Sequence, residues 1–157
     1  MTVQEKIIKQ LDENGIEYKL TEHEPVRTSE DAARVRGVDI NTGAKAMVVK
    51  SKDTFYLLVL PAGQRINWRN VKTALGVKEV RFATEEEAEQ VTGVKMGSVP
   101  PFGNIVGLPT YFDTSMHSIE EVNFNPGSRT HSIAMKTKDL IKLVQPSTVL
   151  LCEEKQP

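Results

Sequence analysis

Residues 44–61 read AKAMVVKSKDTFYLLVLP, and this run constrains the fold more than any other part of the chain. Two apolar stretches of strand length flank Lys52-Asp53, a turn, so the pattern predicts a β-hairpin. Other elements gather around it. Val3, Ile7, Ile8 and Leu11 fall at helical spacing, and Asn14-Gly15 ends that helix. IEYKLTEH alternates as a strand does. Thr28 or Ser29 caps a second helix that carries Asp31 in its first turn and stops at Gly37. INWRNVKTALG is helical with Asn67 as its cap, and KEVRFA is a short strand. Thr84 and the acidic residues after it suit the positive end of a helix that runs to Gly93. PTYFD, EEVNFN and HSIAMK read as strands, and TKDLIKLV as a last helix capped by Thr137. Short turns join several strand neighbours. A mixed, mostly antiparallel sheet with helices around it (α+β) therefore fits better than a doubly wound fold.

Length and charge bound the function. A chain of 157 residues is long enough for one good core, and nothing in it reads as a repeat or linker, so a single domain over 1–157 is expected. With 20 basic and 21 acidic residues the formal charge is −1, which argues against a positively coated binder of long nucleic acid. A local basic rim on one RNA end stays open. Cys152 alone builds neither a disulfide framework nor a multi-cysteine zinc site. The histidines lack metal spacing, and GxGxxG and Walker A patterns are absent, so neither metal nor nucleotide cofactor is expected. The first residues carry no signal-peptide core and no apolar run reaches ~20 residues. The expected location is the cytoplasm, without membrane contact.

Three stretches could carry chemistry. TGVKMGSVPPFGN, residues 92–104, sets Gly97 and Gly103 around Ser98, Pro100, Pro101 and Phe102. The prolines stiffen the backbone and the glycines permit close approach, giving either a plain connector or a preorganised surface. Lys45 opens the first hairpin strand on the face of Met47 and Val49. It either snorkels to the sheet edge or waits as a cation for a phosphate or carbonyl oxygen. NPGSRTHSIAM crowds Ser128, Arg129, Thr130, His131 and Ser132 after the Pro126-Gly127 turn, as a solvated hairpin end or as a pocket wall. Asp113 either caps the turn after its strand or faces a pocket.

Together, the lysine strand, TGVKMGSVPPFG, PGSR opening a strand and KDL opening the last helix resemble the YbaK family, from IEYKLTEHEP to LIKLV. This aminoacyl-tRNA deacylase superfamily includes the editing insertion of bacterial prolyl-tRNA synthetases. The resemblance implies a barrel-like sheet with a pocket beside the lysine strand, and hydrolysis of the ester joining a wrong amino acid to a tRNA 3′ end. It implies Lys45, Gly97 and Ser98 as catalytic, and Thr28, Pro100, Phe102, Gly103, Asp113, Gly127, Ser128, Arg129, His131 and Ser132 as substrate-binding. Gly97 would let the ester lie on the main chain, so Gly97→Val is expected to lose turnover rather than stability. The amino acid's own group or a ribose hydroxyl would assist the attacking water, with no metal. At RTHSI the chain departs from cysteine-removing members, which carry an acidic residue and a leucine there. A polar wall suits serine, threonine or alanine, with cysteine as a further member of the range. The implied partners are the aminoacylated tRNA end and a synthetase. A non-catalytic module that binds the same end beside a synthetase is the alternative.

Overall fold

The structure, a computed structural model, describes residues 1–25 and 28–154. Helix α1 (Val3–Glu13) starts at Thr2, whose Oγ1 accepts from Glu5 N, and buries Ile7 and Leu11. Strand β1 (Tyr18–Glu22) and helix α2 (Ser29–Arg36) follow, the helix capped by Thr28 and closed by Gly37 at φ +69°. The central hairpin is β2 (Ala44–Ser51) and β3 (Thr54–Pro61), in register from Ala44↔Pro61 to Ser51↔Thr54. Its loop is the Lys52-Asp53 pair, and Lys52 takes φ +54°, the left-handed backbone that tight hairpin loops require.

Helix α3 (Trp68–Leu75), strand β4 (Arg81–Phe82) and helix α4 (Glu85–Thr92) follow the hairpin. The chain then runs through helix α5 (Gly103–Val106) and strands β5 (Thr110–Asp113), β6 (Glu121–Phe124) and β7 (His131–Lys136). Helix α6 (Thr137–Val144) and strand β8 (Ser147–Val149) complete it.

The strands form two sheets. β1-β7-β6 is antiparallel, and β4-β2-β3-β5-β8 is mixed, with β5 parallel to both β3 and β8. The expected barrel-like closure is not present. β4 has two residues and β8 three, too short to carry a ladder onward, and the sheets meet through the Gly43–Asn123 bridge. The main core lies between the sheets and α1, α5 and α6, with Phe102, Phe112 and Phe124 at 1% exposure or less. A smaller cluster of Val49, Leu58, Val71 and Leu151 fills the other face of the larger sheet.

Two further differences from the sequence expectation have local causes. The 92–104 bend does not stay irregular, because Gly103 begins α5. A Cβ there would fall on the Thr110 hydroxyl, so only glycine fits. Thr137 does not cap α6. Lys136 holds the cap position without a side-chain bond, while Thr137 lies inside the helix with Oγ1 buried and unpartnered among the described residues.

Candidate active site

A cavity of about 540 Å³ runs along the edge of β2. Two breaks in pairing create it. On that edge β4 pairs only with Val49 and Lys50, while β6 bridges only at Gly43. Gly43 O accepts from Ala62 N on the β3 side, and Val48 O accepts from Ala83 N on the opposite side. The alternation of an antiparallel ladder therefore turns the Ala46 N–H and C=O toward the cavity. This also explains why Ala44, Lys45, Ala46, Met47 and Val48 all line it, although their side chains alternate between faces.

The remaining wall is assembled from separate elements. α2 contributes Ala32 and Ala33, and the β4–α4 segment contributes Phe82, Ala83 and Ala88. Met96, Gly97 and Val99 come from the bend, Asn123 from β6 and Asn125 from just past its end. Alternation on β6 sends Val122 and Phe124 into the core and the two asparagines toward the cavity. Asn123 Nδ2 donates to Thr42 Oγ1 at 2.9 Å, and Asn125 Nδ2 donates to Ser128 O and His131 O at 3.2 Å.

Lys45 is the one ionisable side chain among the described lining residues. Its Nζ donates to Gln64 O at 3.0 Å, and no described carboxylate lies within ion-pair distance. Burial pushes the ammonium's pKa down, with Arg65 adding to the shift and Glu30 opposing it. A half-buried cation without a carboxylate partner is costly for the fold and is available to an anionic or carbonyl oxygen.

The bend and the NPGSR stretch are brought together. Arg129 Nη2 donates to Met96 O at 2.6 Å, and its guanidinium lies 3.7 Å from where a Gly97 Cβ would stand. Gly97 has φ +92°, so any L side chain there is strained whatever the space. The expectation that Gly97→Val spares stability is therefore corrected. Gly127, at φ +95°, lets the second loop pack on Val3 and Val94.

Of the residues singled out from the sequence, Thr28, Lys45 and Gly97 line the cavity, and Arg129 clamps its rim. The others lie elsewhere. Ser98 is buried, its hydroxyl donating to Lys95 O at 2.7 Å to close the turn. Pro100 and Gly103 are buried beneath the bend, and Phe102 is packed on Phe124 with ring centroids 5.6 Å apart. Ser128, Thr130 and His131 bond one another at the hairpin end. Ser132 is buried and pairs with His23 Nε2 at 2.7 Å, while His23 Nδ1 lies 2.7 Å from Glu24 O. A carbonyl only accepts, so Nδ1 carries a proton.

Asp113 lies at a second hollow of about 380 Å³ rather than at the cavity. Its Oδ1 accepts from Leu151 N at 2.7 Å and Cys152 N at 3.0 Å, and its Oδ2 accepts from Ser115 N and the Ser115 hydroxyl. Burial opposes its charge, but these bonds prevail and hold its carboxyl below the usual range. Burial and the Asp113 carboxylate push the Cys152 thiol up to about 12, so it is no nucleophile at neutral pH. Among the described residues, no group of histidine, cysteine and carboxylate could hold a metal.

The family model described as aminoacyl-tRNA editing domain matches residues 23–143, which hold β2, the bend and β6. The chain belongs to this family. The editing domain is 28% identical to the Escherichia coli multifunctional Ser/Thr-tRNA deacylase ProXp-y over 154 residues, covering 92% of this chain and 90% of that protein. It is 24% identical to the prolyl-tRNA editing protein ProX of Acetoanaerobium sticklandii over 151 residues, covering 92% of each chain. A crystal structure of a candidate trans-editing enzyme for prolyl tRNA synthetase superposes with a TM-score of 0.84 at 25% identity, covering 98% of this chain and 99% of that one.

Sequence reasoning missed much of the editing domain's wall. Asn123 and Asn125 carried a signal, since their spacing in EEVNFN puts both on one strand face. Ala32, Ala33, Ala83 and Ala88 carried none. Alanine is ordinary in helices, and here it matters for the room it leaves.

Proposed function

We propose that the editing domain hydrolyses the ester between a small or polar amino acid and a tRNA 3′ end, within the cavity beside Lys45. The observation that carries this reading is a cavity whose one described ionisable group is a lysine without a carboxylate partner, set beside the exposed Ala46 backbone. Apart from Lys45, no described side chain in the cavity is ionisable, and none offers itself as a general base. The geometry therefore suits a reaction in which positioning and electrostatics do most of the work.

In the proposed reaction a water attacks the ester carbonyl carbon, and charge develops on the carbonyl oxygen. Lys45 holds that oxygen or the neighbouring phosphate, and the Ala46 and Gly97 backbones align the ester. The carbon–oxygen bond to the ribose breaks, and the departing ribose oxygen takes a proton. The attacking water's proton passes through the substrate's own amino group or vicinal hydroxyl, which hands a proton on to that departing ribose oxygen. Asn123 and Asn125 provide the polar wall for a serine or threonine side chain, and the alanines leave space for it. The E. coli relative named for Ser/Thr-tRNA supports that substrate class. An aminoacyl-tRNA substrate suits a reaction in the cytoplasm, where a synthetase would supply the mischarged tRNA.

The test is loss of ester from tRNAs mischarged with serine, threonine, alanine and cysteine. Hydrolysis of at least one by the wild type, and its collapse in a folded Lys45→Ala, is the expected result. Near-wild-type turnover by that variant, or no hydrolysis across the panel, would sink the proposal.

A further inference from the structure

Phe82 has no part in the reaction described above, yet it lines the cavity and remains 48% exposed. Trp68, the first residue of α3, braces it with ring centroids 4.8 Å apart and an interplanar angle of 72°. An edge-to-face contact of this kind covers at most one face of the Phe82 ring. The other face is left open on a side chain already held in place, so little freedom is lost when a ligand lands on it.

The surroundings carry positive charge. Arg81 donates to both Glu87 carboxylate oxygens, at 2.7 and 3.0 Å, and Lys50 Nζ donates to the same carboxylate at 3.2 Å. Two cations thus share one anion on the strand that carries the ring, Arg81 preceding Phe82 on β4 and Lys50 standing opposite Arg81 on β2. A fixed aromatic face on a strand that also carries cations is an arrangement on which unpaired nucleic-acid bases stack. Covalent geometry narrows the occupant. The scissile ester sits on the ribose of the terminal adenosine, so that adenine must lie within one nucleoside's reach of the ester. Phe82 and Lys45 line the same cavity.

We infer that Phe82 is the stacking platform for the terminal adenine of the tRNA. The inference rests on the editing reading and deepens it by assigning the base-binding side of the same cavity. Phe82→Leu keeps apolar bulk against Trp68 but removes the flat face, and Phe82→Trp restores one. The probe is an acceptor minihelix whose terminal base is 2-aminopurine, a fluorophore quenched by stacking. The wild type should quench it, and Phe82→Leu should lose most of the quench.

With mischarged tRNA, Phe82→Leu should raise KM by roughly five- to a hundredfold, the equivalent of one lost base stack. Its kcat should stay within about twofold, because the contact is made equally in ground and transition states. Phe82→Trp should recover both quench and KM, at melting temperatures that show all three proteins folded. Unchanged quench and KM in Phe82→Leu, with an active wild type, would overturn this inference and leave the editing reading standing. A wild type that quenches nothing and hydrolyses no mischarged tRNA would overturn the editing reading itself.

Discussion

At the scale of single residues, Lys45 sets a cost to the fold against a use in the site. Its ammonium is half-buried, donates to Gln64 O and has no described carboxylate partner. Lys45→Met should therefore hold or raise the melting temperature, while deacylation falls roughly ten- to a hundredfold, as for a lost charge-assisted bond. A folded Lys45→Met with full turnover would contradict this assignment. The pH dependence follows from the lowered pKa. Between the folded and the higher unfolded pKa, the unfolded chain holds a proton that the folded chain has released, so rising pH favours the fold. Urea midpoints of the wild type relative to Lys45→Met should climb across that alkaline window, while affinity for tRNA declines with the lost cation. Gly97 behaves differently. With φ +92°, Gly97→Ala should destabilise by about 1–2 kcal/mol in chemical denaturation and also lower turnover, since the same bend lines the cavity. An unchanged denaturation midpoint would reject that backbone conformation.

At the scale of elements, β4 and α4 shape one end of the cavity, and Glu87 ties them together. Its carboxylate accepts from Arg81 on β4, from Lys50 on β2 and from Thr84 N, while Thr84 Oγ1 accepts from Glu87 N to complete a capping box. Arg81 first, then the Thr84 backbone and Lys50, hold the Glu87 carboxyl well below the usual range. Thr84→Ala should cost about 1 kcal/mol of stability in chemical denaturation, the ordinary worth of such a cap. A wild-type midpoint would show that the cap contributes nothing. The helix start at Thr84 was legible in TEEE, as were Thr28, Asn67 and the central hairpin, because each is a local preference written in adjacent residues. The cavity was not legible in that way. It exists because β4 stops after Phe82 and β6 makes one bridge at Asn123, and the length of a ladder depends on partners far away in sequence. The bend misled for a related reason. Its motif was plain, but Pro100 and Phe102 face the core, and only Gly97 with its flanking Met96 and Val99 reaches the cavity.

At the scale of the whole molecule, the formal charge of −1 sets how the editing domain can hold a polyanion. Long-range attraction is weak, so affinity for tRNA must come from a few contacts near the cavity. Lys45 and Arg129 are placed there, and Lys50 stands opposite Arg81 on the β2–β4 ladder with its charge partly met by Glu87. Lys136 lies at the opposite end of β7 from His131, leading into α6, and is not expected to contribute. Two or three phosphate contacts to a single-stranded end should give a slope of log affinity against log salt between about −1.4 and −2.1. Arg129→Gln should shrink that slope by about 0.7, and Lys136→Gln should leave it unchanged. Filter binding or fluorescence titration across a salt series measures both. A slope near zero would mean that the acceptor end is held by stacking and backbone contacts alone. A much steeper one would require a phosphate-binding surface beyond the cavity rim.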